Sequence, residues 1–244
     1  MIYTVKHVVI RRRIADMMNV RRFMKLMLVI TAFSMSIPAH AFGKKEEIVI
    51  PQNYPEKYDA EYVKRIKPLY KDVSEDHIFH VALDMLKNTN GEFSRRAILG
   101  SNLSQKPVRV MFKDLSTINP GYADFDALGW KKGGRLYIFI NPKHKDAPPG
   151  AIAALLSHEA LHQDEYNSIA EETYAWTMEA SVWCEILDMY PESNENLSPL
   201  VNRENTLKKL FEKGNYSNKY IRKTVQSNEG YKGLPVTSPG FEDL

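Results

Sequence analysis

Residues 155–163 read Leu-Leu-Ser-His-Glu-Ala-Leu-His-Gln, and this stretch decides how the rest of the chain is interpreted. His158 and His162 are four residues apart, so on a helix they share one face, with Cβ atoms about 5–6 Å apart. Both imidazoles can then bind one zinc ion at about 2.0–2.1 Å. Glu159 lies about 100° around the helix from His158, where it can reach a metal-bound water without taking a ligand position. The pattern therefore predicts a hydrolytic zinc site with Glu159 as general base.

The sequence around the motif predicts two antiparallel helices. Pro148-Pro149-Gly150 opens a helix that should run to about His162, with a proline suited to its first turn. A second helix is predicted over Ser168–Tyr190, and its first residue has capping-box spacing to Glu171. The five residues between the helices, 163–167, suit an αα-hairpin. This reversal brings the start of the second helix beside the second histidine.

A hydrolytic zinc site usually takes a third protein ligand, and the start of the second helix supplies two candidates, Glu171 and Glu172. Without the reversal, ten helical residues would carry Glu172 about 15 Å away from His162. Glu172 is the predicted ligand because it shares a helical stripe with apolar residues and should point inward. Those residues are Ile169, Trp176 and Trp183. Glu171 is predicted to hydrogen-bond back to Ser168, and it remains the alternative ligand.

Other polar side chains near the motif have open roles. Glu179 lies seven residues beyond Glu172 on the same stripe. It either accepts a hydrogen bond from a ligand imidazole, forms an ordinary salt bridge or is exposed. The oxyanion formed in peptide-bond hydrolysis needs a further hydrogen-bond donor, and the sequence selects no single residue for it. The candidates are Tyr166, Tyr174, Tyr231 and His144.

The motif at residues 158–162, followed by Glu-Thr-Tyr-Ala at residues 172–175, resembles gluzincin-type HExxH metallopeptidases. The resemblance spans roughly residues 107–190, and its spacing from the second histidine to the glutamate is shorter than in the large secreted members. It implies a zinc hydrolase whose third ligand is a Glu, followed three residues on by a small residue, here Ala175. It also implies an edge strand ahead of the motif helix that pairs with extended substrate, a place matched by Leu136–Ile140.

The predicted fold class is α+β, a small zincin-like domain with a short mixed or antiparallel sheet packed on the motif helix and several further helices. Strands are expected at Val108–Leu115 and Arg135–Asn141. The periodicity predicts further helices over 75–87, 95–99, 199–213 and 217–227. The domain is assigned to residues 71–229, between a turn-rich N-terminal arm over 42–70 and an irregular tail over 230–244.

Residues 1–41 have the order of an export signal. Basic residues precede a 12-residue apolar run, Leu26–Ile37, and Ala39-His40-Ala41 follows with the small-x-small pattern of a cleavage site. The apolar run is too short to span a bilayer, which takes about 20 residues. We therefore expect cleavage after this site and a periplasmic or secreted protein without a stable membrane anchor. Met24 is an alternative translation start.

Charge and cysteine content exclude several function classes. The chain has 33 basic and 30 acidic residues, of which residues 1–41 hold seven and one, so the remainder has a net charge of −3. A mildly acidic body offers no electrostatic basis for nucleic-acid binding. Cys184 is the single cysteine, which excludes an intrachain disulfide and any Cys-x-x-Cys zinc or redox site. We interpret it as a small apolar packing residue.

The sequence therefore predicts an exported zinc-dependent peptidase that hydrolyses peptide bonds with zinc-activated water and Glu159 as general base. The expected partner is a peptide or protein substrate, cell-wall peptides included. The alternative is a non-catalytic, zinc-stabilised extracytoplasmic binding module. Glu159 separates the two, because a structural zinc site needs no carboxylate beside His158.

Overall fold

The structure is a computed structural model that describes residues 59–100, 106–162, 166–195 and 197–242. Its fold class is α+β, as predicted, with a small mixed sheet. The α-helices are α1 (Ala60–Tyr70), α2 (His77–Met85), α3 (Glu92–Leu99), α4 (Pro149–Glu159), α5 (Ile169–Met189), α6 (Pro199–Lys213) and α7 (Lys219–Ser227). The strands are β1 (Arg109–Phe112), β2 (Ala127–Lys132) and β3 (Arg135–Ile140). The predicted export signal, residues 1–41, lies outside the described residues. In the part of the chain that is described, no helix has the length and apolar composition to cross a membrane.

Helix α4 carries the motif and lies at the centre of the packing. Every residue from Pro149 to Glu159 is buried, which explains why this segment is apolar all round instead of having one amphipathic stripe. Pro149 occupies the first turn, where its missing N–H breaks no helical bond. Gly150 lets the end of α5 approach closely, since a Cβ there would lie 2.8 Å from Ile186 Cγ2 and 2.7 Å from Ser193 Oγ.

The three strands form one mixed sheet in the order β1-β3-β2. β1 runs parallel to β3, with Arg109 opposite Tyr137, and β2 runs antiparallel to β3, with Ala127 opposite Ile140. The two-residue turn Gly133-Gly134 joins β2 to β3, and both glycines have positive φ, as a type I′ hairpin turn requires. Buried residues of all three strands belong to the same hydrophobic core as α4.

The expectation that Leu136–Ile140 is an edge strand is wrong. β3 is the central strand and pairs on both sides, which accounts for its nearly continuous apolar sequence. β2 is an outer strand of the sheet. It was not predicted from the sequence, because Ala-Leu-Gly-Trp-Lys-Lys lacks a regular alternation of apolar and polar residues and contains a glycine. β1 is shorter than predicted, because residues 115–117 form a 3₁₀ turn.

The predicted arm over residues 42–70 differs from the structure in its second part. Residues 60–70 form α1, and its buried side chains belong to the main core; they are Tyr62, Val63, Ile66 and Tyr70. The Asp59 carboxylate caps this helix by accepting from the N–H of Tyr62 at 2.7 Å. The hydroxyls of Tyr62 and Tyr70 both donate to Asp84 on α2. Residues 42–58 lie outside the described residues.

Helices α6 and α7 form a second hydrophobic cluster against α5, built from Ala180, Leu207, Phe211, Ile221 and Val225. The tail that follows contains a 3₁₀ turn at Glu229–Tyr231 and is otherwise irregular, as predicted. It nevertheless packs on the start of α5, where the N–H groups of Ile169 and Ala170 donate to the carbonyls of Pro235 and Val236. The tail therefore satisfies N–H groups that a helix cannot satisfy internally.

Candidate metal centre

His158 lies in the last turn of α4, and His162 lies three residues beyond the end of this helix. The helix ends at Glu159, earlier than predicted, because its last turn tightens. Leu161 N donates to the His158 carbonyl and His162 N donates to the Glu159 carbonyl, which is the 3₁₀ pattern common at helix ends. The two imidazoles are still neighbours, with ring centroids 5.1 Å apart and ring planes at 61° to each other.

Helix α5 runs antiparallel to α4 and brings Glu172 to both histidines. Glu172 Oε2 lies 3.7 Å from His158 Nε2, and its Oε1 lies 3.7 Å from His162 Nε2. One ligand atom from each of the three residues lies within 4.8 Å of the others. The helix reversal inferred from the sequence is therefore present, and it gathers the three predicted ligands at one point.

A carboxylate accepts a hydrogen bond from the Nδ1 atom of each imidazole. His158 Nδ1 donates to Glu179 Oε2 at 3.0 Å, and His162 Nδ1 donates to Glu171 Oε1 at 2.9 Å. A hydrogen bond at Nδ1 selects the tautomer in which the Nε2 lone pair is free to bind a metal. Each Nε2 atom lies 3.7 Å from a carboxylate oxygen of Glu172. Both predicted contacts of Glu179 are present: it accepts from His158, a predicted ligand, and it forms an ion pair with Arg203 on α6.

The side chain of Glu171 differs from its prediction. Ser168 caps α5 as expected, accepting from the N–H of Glu171 at 3.1 Å. The Glu171 carboxylate does not close the capping box, however. Its Oε1 accepts from His162, and its Oε2 accepts from the hydroxyl of Ser238 at 2.8 Å. Because Glu171 approaches Nδ1 and Glu172 approaches Nε2, the geometry favours Glu172 as the third ligand.

Four acidic side chains surround the two imidazoles: Glu159, Glu171, Glu172 and Glu179. Burial lowers the pKa of His162, but the hydrogen bond to Glu171 and the charges of Glu172 and Glu159 raise it to about 9. Burial raises the pKa of Glu159, and the histidines only partly oppose this. A buried cluster with more carboxylates than cationic groups favours the binding of a cation.

One oxygen of Glu172 is both buried and unsatisfied. Asn167 Nδ2 donates to Oε1 at 2.6 Å, whereas Oε2 has no hydrogen-bond partner among the described residues. Leaving such an oxygen buried costs about 1–3 kcal/mol or more, and a cation between Glu172 and the imidazoles removes this cost. Two imidazoles and one carboxylate are a donor set that catalytic zinc sites use, with one position left open. The residues present therefore fit a zinc ion.

Glu159 lies beside this cluster and beside strand β2. Its Oε1 is 4.0 Å from His158 Nε2, and its side chain is buried. A Cβ at Gly129 would lie 3.2 Å from the His162 carbonyl oxygen and 4.0 Å from Glu159 Oε2. Glycine at this position therefore lets β2 lie directly against the motif. Among the described residues β2 pairs only with β3, so the strand that lies against the motif at Gly129 is an outer strand of the sheet.

The structure separates the four candidates for an oxyanion donor. Tyr231 lies beside Glu172: burial raises the pKa of the phenol far above its ordinary value, and the charge of Glu172 raises it further. Its hydroxyl accepts from Trp176 Nε1 at 3.0 Å. The other three have different surroundings: Tyr166 is 46% exposed, Tyr174 packs on Phe241, and His144 bonds to Asp126. These contacts place Tyr231 next to a predicted ligand.

Three residues that support the site were not predicted from the sequence. Asn167 bonds to Glu172, Ser238 bonds to Glu171, and Arg203 donates to Glu179 from α6. Asn167 is close to its partner in the chain and could have been considered as a neighbour of the cap. Ser238 and Arg203 are 67 and 24 residues from their partners, and no local pattern marks them.

No protein-family model matches the chain, and no curated protein and no solved structure is significantly similar to it. The resemblance to gluzincins therefore rests on the motif residues, and the function is argued from the geometry of the site.

Proposed function

We propose that the protein is an exported zinc peptidase in which His158, His162 and Glu172 bind the metal and Glu159 acts as general base. The observation that carries the proposal is the convergence of one ligand atom from each of the three metal-binding residues within 4.8 Å. Each histidine also has its Nδ1 bonded to a carboxylate. A surface helix with two solvated histidines has neither feature.

The residues of the chain divide the chemistry between them. Zinc, when bound, supplies the Lewis acidity that activates water and polarises the scissile carbonyl. Glu159 accepts a proton from the attacking water and delivers it to the leaving amine. The phenol of Tyr231 is kept protonated by burial and by Glu172, which makes its hydroxyl our candidate donor to the oxyanion.

The proposed substrate is an extended peptide, either part of a protein or a cell-wall peptide. β2 lies at the outside of the described sheet, and Gly129 packs against His162 and Glu159. A peptide that adds to the outer edge of β2 through main-chain hydrogen bonds runs past the general base. Such pairing recognises the peptide backbone, so it suits a substrate defined more by conformation than by one side chain.

Zinc content and peptidase activity of the purified protein, measured beside Glu159→Gln, test the proposal. This variant removes the base and keeps the size of the side chain and all three ligands. We expect about one zinc ion per chain in both proteins, with activity about 10²- to 10⁴-fold lower in the variant. Glu195→Gln, an exposed matched substitution, should leave both quantities unchanged. Full activity in Glu159→Gln would defeat the proposed mechanism.

Zinc binding by an inactive wild-type protein would instead support the alternative, a non-catalytic zinc-stabilised binding module.

Export is tested independently by N-terminal sequencing of the protein that accumulates on expression in a bacterium. The proposed cleavage after Ala41 predicts a mature chain that begins at Phe42. A chain that keeps Met1 or Met24 at its N-terminus contradicts the proposed processing.

A further inference from the structure

Arg203, on α6, binds the carboxylate that lies behind His158. Its Nη1 and Nη2 donate to the two oxygens of Glu179, with Nη2 at 3.0 Å. Glu179 is fully buried. Both oxygens of Glu179 are therefore held by the guanidinium, and Oε2 also accepts the hydrogen bond from His158 Nδ1 at 3.0 Å.

Arg203 also contacts two further acidic side chains. Its Nε lies 3.2 Å from Asp126 Oδ2, and its Nη1 donates to Glu204 Oε1 at 3.0 Å. The guanidinium stacks over the ring of Trp176 at 5.5 Å. The planar fork of five donors in arginine can satisfy several carboxylates at once, whereas the ammonium of lysine cannot reproduce that geometry. The orientation of Glu179 is thus fixed by a side chain that is itself held at several points.

Asp126 extends this network to strand β2, which it immediately precedes. Its Oδ1 accepts from Lys143 at 2.9 Å and from His144 at 2.7 Å. Arg203 therefore connects two parts of the site that are far apart in the chain. One part is Glu179, which holds a predicted metal ligand. The other is the start of the strand that lies against the general base.

We propose that Arg203 is a positioning residue of the metal centre. It holds Glu179, and Glu179 orients the imidazole of His158 so that Nε2 faces Glu172. The inference rests on the proposed zinc site, and the contact from Arg203 through Glu179 to His158 involves only side chains of the chain itself. Loss of Arg203 therefore changes the state of the His158 imidazole and the affinity for zinc, in addition to any change in fold stability.

Three variants separate positioning from general stabilisation. Arg203→Met removes the charge and all donors but keeps the length of the side chain, and Arg203→Lys keeps the charge without the fork. Arg95→Met is the matched control. Arg95 lies on α3, where it also forms an ion pair with Glu92 and a hydrogen bond to Tyr70. The measurements are thermal unfolding, zinc affinity by competition with a chromophoric chelator, and nitrogen NMR of the His158 ring in metal-free protein.

We expect Arg203→Met to weaken zinc binding about 10- to 100-fold, the range found when the hydrogen-bond partner of a metal ligand is lost. The ring nitrogens of His158 should change from one hydrogen-bonded tautomer to a mixture. Arg203→Lys should fall between wild type and Arg203→Met in both quantities. Arg95→Met should lower the melting temperature and leave zinc affinity and the His158 resonances unchanged.

Zinc affinity of Arg203→Met within about threefold of wild type, clearly less than an outer hydrogen-bond partner normally contributes, would overturn the proposal. An equal loss of affinity in Arg95→Met would overturn it as well. If Arg203→Met does not fold, Arg203→Lys decides the question, and unchanged affinity and His158 resonances in that variant refute the role. A wild-type protein that binds no zinc refutes the proposed function, while altered His158 resonances in Arg203→Met would still support positioning.

Discussion

Gly129 is the point at which β2 lies against the motif, and larger side chains there test that contact. A Cβ would lie 3.2 Å from the His162 carbonyl oxygen and 3.4 Å from its Cβ, so Gly129→Ala requires a shift of a few tenths of an ångström. Functional sites tolerate displacements of about 0.5 Å, and zinc affinity should stay within about threefold of wild type. Gly129→Val adds methyl groups that reach towards Glu159 Oε2, 4.0 Å from the Cβ position. The strand and the motif must then separate, and we expect zinc affinity to fall tenfold or more.

Gly129→Val should also lower the free energy of unfolding by about 1–3 kcal/mol, the usual cost of overpacking. For a domain of this size, that corresponds to a melting temperature about 2–12 °C lower. Chelator competition measures the affinity, and differential scanning calorimetry of the metal-free protein measures the stability. Gly121→Val, in an exposed turn with 3.4 Å of clearance, is the matched control and should change neither. A folded Gly129→Val protein with wild-type zinc affinity would refute the placement of β2 against the site.

Three further predictions concern residues outside the metal ligands. Ser238→Ala removes the hydrogen bond to Glu171 and should weaken zinc binding about tenfold, measured by chelator competition. Asp126→Asn should lower stability at pH 7 by about 1–3 kcal/mol, because burial raises the pKa of Asp126 but the hydrogen bond from His144 and the charge of Arg203 outweigh this and lower it. The stability that a lowered carboxyl pKa contributes is present above the pKa of the unfolded state, about 3.9, and is lost as the pH falls further. Urea titrations should therefore show the free energies of unfolding of the two proteins converging below about pH 4. Burial raises the pKa of Cys184 to about 11, so iodoacetamide at pH 8 should modify the native protein far more slowly than the unfolded one.

Each of these predictions has a result that contradicts it. Ser227→Ala, an exposed serine on α7, controls for the loss of a hydroxyl, and equal zinc affinity in both serine variants refutes the role of Ser238. A stability difference for Asp126→Asn that is the same at pH 7 and pH 3 contradicts an ionised Asp126 in the folded state. Equal alkylation rates of Cys184 in native and unfolded protein contradict the raised pKa of its thiol in the folded state.

The parts of the fold that were predicted correctly depend on interactions between residues close in sequence. The motif on a buried helix, the helix reversal, the cap at Ser168 and the inward direction of Glu172 all follow from helical periodicity and short loops. Strand β2 was missed because its alternation is weak, although the Gly133-Gly134 turn is a hairpin signal that could have found it. Helix α1 was missed because prolines dominate the surrounding sequence, although its apolar residues have helical spacing.

The outer part of the site could not be predicted from the sequence, because it is built from contacts distant in the chain. Ser238 reaches Glu171 across 67 residues, and Arg203 reaches Glu179 across 24. Nothing in the local sequence of either residue distinguishes it from an ordinary surface serine or arginine. The predicted hydrogen bond from the Glu171 side chain back to Ser168 was wrong for the same reason. Its carboxylate instead accepts from His162 and from Ser238, which is distant in the chain.

The most direct test of the central claim is an anomalous difference map at the zinc absorption edge, from crystals of the protein purified without added chelator. We expect one strong peak between His158, His162 and Glu172, about 2.0–2.2 Å from both Nε2 atoms and a carboxylate oxygen. A zinc peak at another position in the chain would contradict the proposed site. Crystals grown with zinc that show no peak between these three side chains would contradict it as well.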